Sequence, residues 1–192
     1  GASKAPFTLC KPMRRFNLKL FELFADVEKY LSKTLKNLLG QSFSDFEIVI
    51  SPQWRCQQFS SIVCEHLGVD FSNCVVENSL KEHCFGFWEG LTEEEIEHEY
   101  PGMLAKRYSN WWEYIVPGGE SYELLSKRVE KVLNRYYNKK VVFVCHEMVS
   151  KVLRGNYSKM ECEDVLKLKH AQDVVFKLDN GKVQRLTKKE KQ

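Results

Sequence analysis

Two short strand-like runs constrain this chain most: Phe46-Glu47-Ile48-Val49-Ile50 and Val141-Val142-Phe143-Val144-Cys145. Each is apolar almost throughout instead of alternating, which suits a strand covered on both faces in a parallel sheet. Each stops abruptly at polar residues, Ser51-Pro52 and His146-Glu147, and a helix-period segment follows. Parallel neighbours need a long crossover, usually helical. The alternation therefore predicts an α/β fold, a three-layer sandwich with a mostly parallel central sheet flanked by helices. Val141–Cys145, with no polar side chain, is expected at the centre of that sheet.

The remaining segments fit this scheme. Phe7–Cys10 reads as a first strand, and residues 23–39 as an amphipathic helix carrying Val27, Leu31, Leu35 and Leu38 at three- and four-residue spacing. Arg55, Phe59, Ile62 and Val63 share a helix, and Cys74–Val76 reads as a short strand. Thr92 and Glu95 have the spacing of a capping box. Ser121 is placed to cap a long helix with Leu125, Val129, Val132, Leu133 and Tyr136 on one face. A further helix covers about Met148–Leu153, and Asp179-Asn180-Gly181 marks a tight hairpin. The expected organisation is one domain over residues 7–186 with a polar tail at 187–192.

Composition excludes little. The 29 Lys and Arg against 26 Asp and Glu leave a net charge of +3, too small to argue for nucleic acid. Lys139-Lys140 and the tail lysines Lys188, Lys189 and Lys191 form no evident common stripe, so a nucleic-acid role is the weakest reading. Seven irregularly spaced cysteines without a C-x-x-C pair speak against a zinc site and for reduced thiols, hence a cytoplasmic or nuclear setting. No membrane span, cofactor motif or metal motif is expected, and Gly1-Ala2-Ser3 reads as a tag remnant.

Four blocks carry a resemblance: Ser51-Pro52-Gln53-Trp54-Arg55-Cys56-Gln57-Gln58; Leu80-Lys81-Glu82 leading to Phe85-Gly86-Phe87-Trp88-Glu89-Gly90; Pro117-Gly118-Gly119-Glu120-Ser121; and Val141–His146. Together they resemble the histidine phosphatase (phosphoglycerate mutase-like) superfamily. That resemblance implies an anion-gripping arginine at Arg55, a carboxyl proton donor and acceptor at Glu82, and the second pocket histidine at His146. It also implies that Lys11, Pro12 and Met13 stand where the family has Arg-His-Gly, whose histidine takes the phosphoryl group. The first histidine of this chain is His66. Lysine keeps the charge without the bidentate fork, and proline offers neither nucleophile nor N–H. The family's glycines after the second histidine are Glu147 and Met148 here; Glu147 either repels an anion or turns outward.

The resemblance thus implies a catalytically degenerate member with no catalytic nucleophile. The leading expectation is a pseudoenzyme serving as a protein-interaction scaffold or regulatory subunit. A divergent phosphomonoesterase or phosphoglycerate mutase-like enzyme is the alternative. Lys11, Arg55 and His146 would be the residual anion-binding set for a phosphate-containing ligand. Tyr108, Trp111 and Trp112, in an aromatic-rich stretch, are the candidate partner-binding residues. A homodimer is a further arrangement that the family allows.

Overall fold

The computed structural model describes residues 45–170 and 174–186, together with Lys33, Leu35 and Asn37 of a helix. The predicted strand at Phe7–Cys10, the positions Lys11, Pro12 and Met13, most of the helix at 23–39 and the tail from 187 lie outside the described residues. In chain order the elements are β1 (Glu47–Ile50), α1 (Trp54–Leu67), β2 (Val75–Val76), α2 (Glu93–Glu99), α3 (Met103–Ser109), α4 (Tyr122–Arg135), β3 (Val141–Val144), α5 (Glu147–Ser158), α6 (Cys162–Lys167), β4 (Val175–Asp179) and β5 (Lys182–Leu186). The described residues gather into two compact units, His83–Leu124 and the described parts of Leu18–Glu82 with Leu125–Gln192.

The second unit holds the parallel sheet, in the order β2-β1-β3. All four residues of β1 pair in parallel with β3, from Glu47↔Val141 to Ile50↔Val144, and its last two pair with β2. Helices flank this sheet, so the protein has an α/β fold with a parallel central sheet. Among the described residues the middle strand is β1, not the run at Val141–Cys145. Val49 and Ile50 are fully buried, whereas the β3 side chains are half-buried. Ile48, Ile50 and Cys64 form a core cluster with Val69, Phe71, Cys74 and Val144 against it. The apolar face of α4 is buried as its spacing predicts, at Leu125, Val129 and Val132. Gly155 lets α6 approach α5, since a Cβ there would lie 2.3 Å from Val165 Cγ2. The hairpin β4–β5 turns at Asn180-Gly181, both with positive φ as a tight antiparallel turn requires.

The first unit is built around Trp88, Ile96 and Val116, all buried, with Phe85, Tyr100, Leu104 and Tyr114 packed on them. Helix α2 opens with the full reciprocal capping box of Thr92 and Glu95. Two of the sequence blocks meet here, backbone to backbone. Phe87 N–H donates to Pro117 O at 2.9 Å and Glu120 N–H to Cys84 O at 3.0 Å. Gly86, at φ 53°, has no room for a side chain: a Cβ would lie 2.2 Å from Pro117 O. Arg107 on α3 is buried, with Phe85, Trp88, Trp111 and Tyr122 rings centred 4.9, 5.9, 4.8 and 5.7 Å from its guanidinium carbon.

Candidate functional site

The candidate site forms where β1 and β3, side by side and parallel, both end and hand over to α1 and α5. Crevices beyond the carboxyl ends of parallel strands are the usual ligand sites of such sheets, and helix N-termini there favour anions. Arg55 occupies the first turn of α1, and His146 is the residue just before α5. The strand pairing therefore delivers two of the predicted residues to one place. Arg55 Nε donates to His146 Nδ1 at 3.0 Å.

That bond fixes the chemistry of the ring. A guanidinium can only donate, so Nδ1 is the acceptor and the neutral ring carries its proton on Nε2. Nε2 lies 2.8 Å from Ser51 Oγ and donates to it. Both nitrogens are thus occupied, and the residue is only 6% exposed. Burial, then the charges of Arg55 and Arg128, push the His146 pKa down to about 3. The imidazole stays neutral near pH 7. Ser51 and His146 have the spacing of a serine–base pair, but the polarity is reversed: Nε2 already holds a proton and cannot take one from Ser51. Ser51 is itself fully buried.

The cysteines near this point are not activated. Cys56 Sγ is 3.5 Å from His146 Nε2 and contacts Cys145 O at 3.6 Å. Burial raises its thiol pKa to about 11, and burial likewise raises that of Cys145. Attack by sulfur requires the thiolate, which both environments suppress.

Glu82 is held through its backbone. Its N–H donates to Gln53 Oε1 at 2.9 Å, and its carbonyl accepts from Arg128 Nη2 at 3.2 Å. Arg128 Nη1 also donates to Ser79 O at 2.6 Å, so one guanidinium fastens both ends of the turn leading to Glu82. Gln53, the residue preceding α1, accepts from Arg55 Nη2 as well, at 3.5 Å. Sequence reasoning missed Gln53 as a clamp and missed Arg128 altogether. Arg128 is a polar-face residue of an amphipathic helix, and its acceptors lie 46 and 49 positions away.

Glu147 turns outward: its side chain is half-exposed and pairs with Lys151 Nζ at 2.7 Å. Lys11 and Pro12 fall outside the described residues. Of the aromatic trio, Tyr108 is 42% exposed and donates from its hydroxyl to Glu93 at 2.6 Å. Trp111 and Trp112 are both half-buried, Trp111 against Tyr108 and Arg107, Trp112 stacked on Tyr122. Among the described residues no group of three or more His, Cys, Asp or Glu is placed to hold a metal, and no helix is long and apolar enough to cross a membrane.

The profile of the histidine phosphatase superfamily (branch 1) matches residues 28–189. The chain belongs to that superfamily. It is 34% identical over 144 residues to human 6-phosphofructo-2-kinase/fructose-2,6-bisphosphatase 4, a match covering 73% of this chain and 30% of the human protein. The mouse 6-phosphofructo-2-kinase/fructose-2,6-bisphosphatase 1 is 32% identical over 154 residues, 78% of this chain and 31% of the relative. The matched region thus spans under a third of these curated relatives. Solved structures share the fold. The α-ribazole phosphatase of Shigella flexneri superposes with a TM-score of 0.68 at 18% identity, covering 85% of this chain and 80% of that one. A mycobacterial glucosyl-3-phosphoglycerate phosphatase bound to inorganic phosphate gives 0.61 at 21% identity, over 77% and 73%.

Proposed function

We propose that this chain is a histidine-phosphatase fold without phosphoryl-transfer activity, acting as a protein-interaction scaffold or regulatory subunit. The observation that carries the reading is the state of His146. Both its nitrogens are engaged by Arg55 and Ser51, and burial keeps it neutral. A neutral ring with no free lone pair neither accepts a phosphoryl group nor supplies positive charge to one. The sequence adds that residues 1–65 hold no histidine, and that Pro12 stands where the resemblance places the nucleophile. Protein binding rests on the exposed part of the aromatic segment at Tyr108, beside Trp111 and Trp112.

The test is turnover of fructose 2,6-bisphosphate, phosphoglycerates and an aryl phosphate by the purified protein. No rate above that of buffer is expected. A clear rate that disappears in Arg55→Ala would overturn the proposal. It would favour the second reading, a divergent phosphomonoesterase. That reading has one specific observation behind it: Arg55 and the clamped Glu82 turn are both fastened to Gln53, so the residues that would bind and protonate a phosphate ester remain together.

A further inference from the structure

The sulfurs of Cys64 and Cys74 stand 3.6 Å apart. Neither belongs to the candidate site around Arg55 and His146. Cys64 is buried in the last turns of α1, and half-buried Cys74 immediately precedes β2. They lie ten positions apart along the chain, joined through the left-handed helix stop at Gly68 and the turn Phe71–Asn73. The geometry points to a disulfide latch: under oxidising conditions Cys64 and Cys74 bond to one another and tie the end of α1 to the start of β2.

Three features support it. A disulfide needs its sulfurs about 2.05 Å apart, so about 1.5 Å of approach closes the bond. Val69, Phe71, Ile48, Ile50 and Val144 surround the pair with apolar surface. That surface penalises a thiolate, and burial raises both thiol pKa values, Cys74 to about 12; it does not penalise an uncharged disulfide. The segment between the two cysteines is short and ends in a turn, so closure requires only local adjustment.

The oxidant is hydrogen peroxide. The half-buried Cys74 thiol is oxidised first to a sulfenic acid, and one water leaves. The minor thiolate fraction of Cys64 then attacks that sulfur, the S–S bond forms, and the sulfenic hydroxyl departs with the released thiol proton as a second water. The suppressed thiolates make this slow, so the latch records sustained oxidation and not a transient burst.

The experiment treats the full chain, native and in urea, with hydrogen peroxide and maps cysteine linkage under non-reducing conditions, after cleavage at Glu65 to separate the partners. A Cys64–Cys74 link that forms in the native protein in preference to any pairing with Cys56 is expected. The thermal midpoint should rise by about 5 °C on oxidation. That rise should vanish in Cys74→Ser and in Cys64→Ala; the first changes the half-buried partner, so a folding defect in the second does not remove the test. No such link in the native protein, while peroxide joins cysteines in urea, overturns the latch. So does a link that leaves the midpoint unchanged.

Discussion

Acidification reaches His146 directly. A histidine ordinarily charges near pH 6.5, whereas in the folded protein the His146 pKa is pushed down to about 3 by burial and by Arg55 and Arg128. Between those values the unfolded chain carries a proton that the native state refuses. Stability is therefore complete above the unfolded value and falls as pH drops through that window. At pH 5 the offset is about 1.5 pH units, and at about 1.36 kcal/mol per unit the loss is about 2 kcal/mol. The comparison is His146→Gln, whose amide does not titrate and retains an acceptor for Arg55 and a donor for Ser51. Urea unfolding at pH 7 and pH 5 should show the parent losing about 2 kcal/mol more than the variant. Other titrating groups, including His170, whose pKa burial also lowers, act in both proteins and cancel in the difference. In parallel, the His146 ring resonances should not titrate between pH 5 and 8, and the ring proton should reside on Nε2. Equal losses in the two proteins, to within about 0.5 kcal/mol, would refute the buried, neutral, doubly engaged ring.

Gly86→Ala should destabilise the protein by about 3 kcal/mol or more, because it adds a Cβ against Pro117 O at a positive φ; chemical denaturation measures it, and a near-neutral result would mean the two motif blocks do not meet. Arg107→Ala should cost about 3 kcal/mol by emptying a site lined by four aromatic rings, seen as a lower urea midpoint and a changed near-ultraviolet tryptophan signal. Thr92→Ala removes one half of the α2 capping box and should cost about 1 kcal/mol, checked by thermal melting and by faster amide exchange at Glu95. Arg128→Met leaves the Ser79 and Glu82 carbonyls without this donor and should cost about 2 kcal/mol, again read from urea unfolding.

What the sequence determined by itself lies within a few residues of its cause. The Thr92–Glu95 capping box joins positions three apart. The Asn180-Gly181 turn is set by its own backbone preference, and the buried stripe of α4 follows from its three- and four-residue spacing. The apolar runs at Phe46–Ile50 and Val141–Cys145 announced parallel strands, and the four motif blocks announced the superfamily. Tertiary structure decided the rest. It placed β1 between β2 and β3, a matter of pairing that the two similar apolar runs could not rank. It put Arg55 on Nδ1 of His146 and Ser51 on Nε2, across 91 and 95 positions, and so chose the neutral ring. It enlisted Arg128 to hold the Glu82 turn, surrounded Arg107 with aromatic rings and brought Cys64 within 3.6 Å of Cys74. A side chain's charge, tautomer and partners depend on what the folded chain excludes from water around it. That exclusion comes from segments far apart in sequence, and local composition does not encode it.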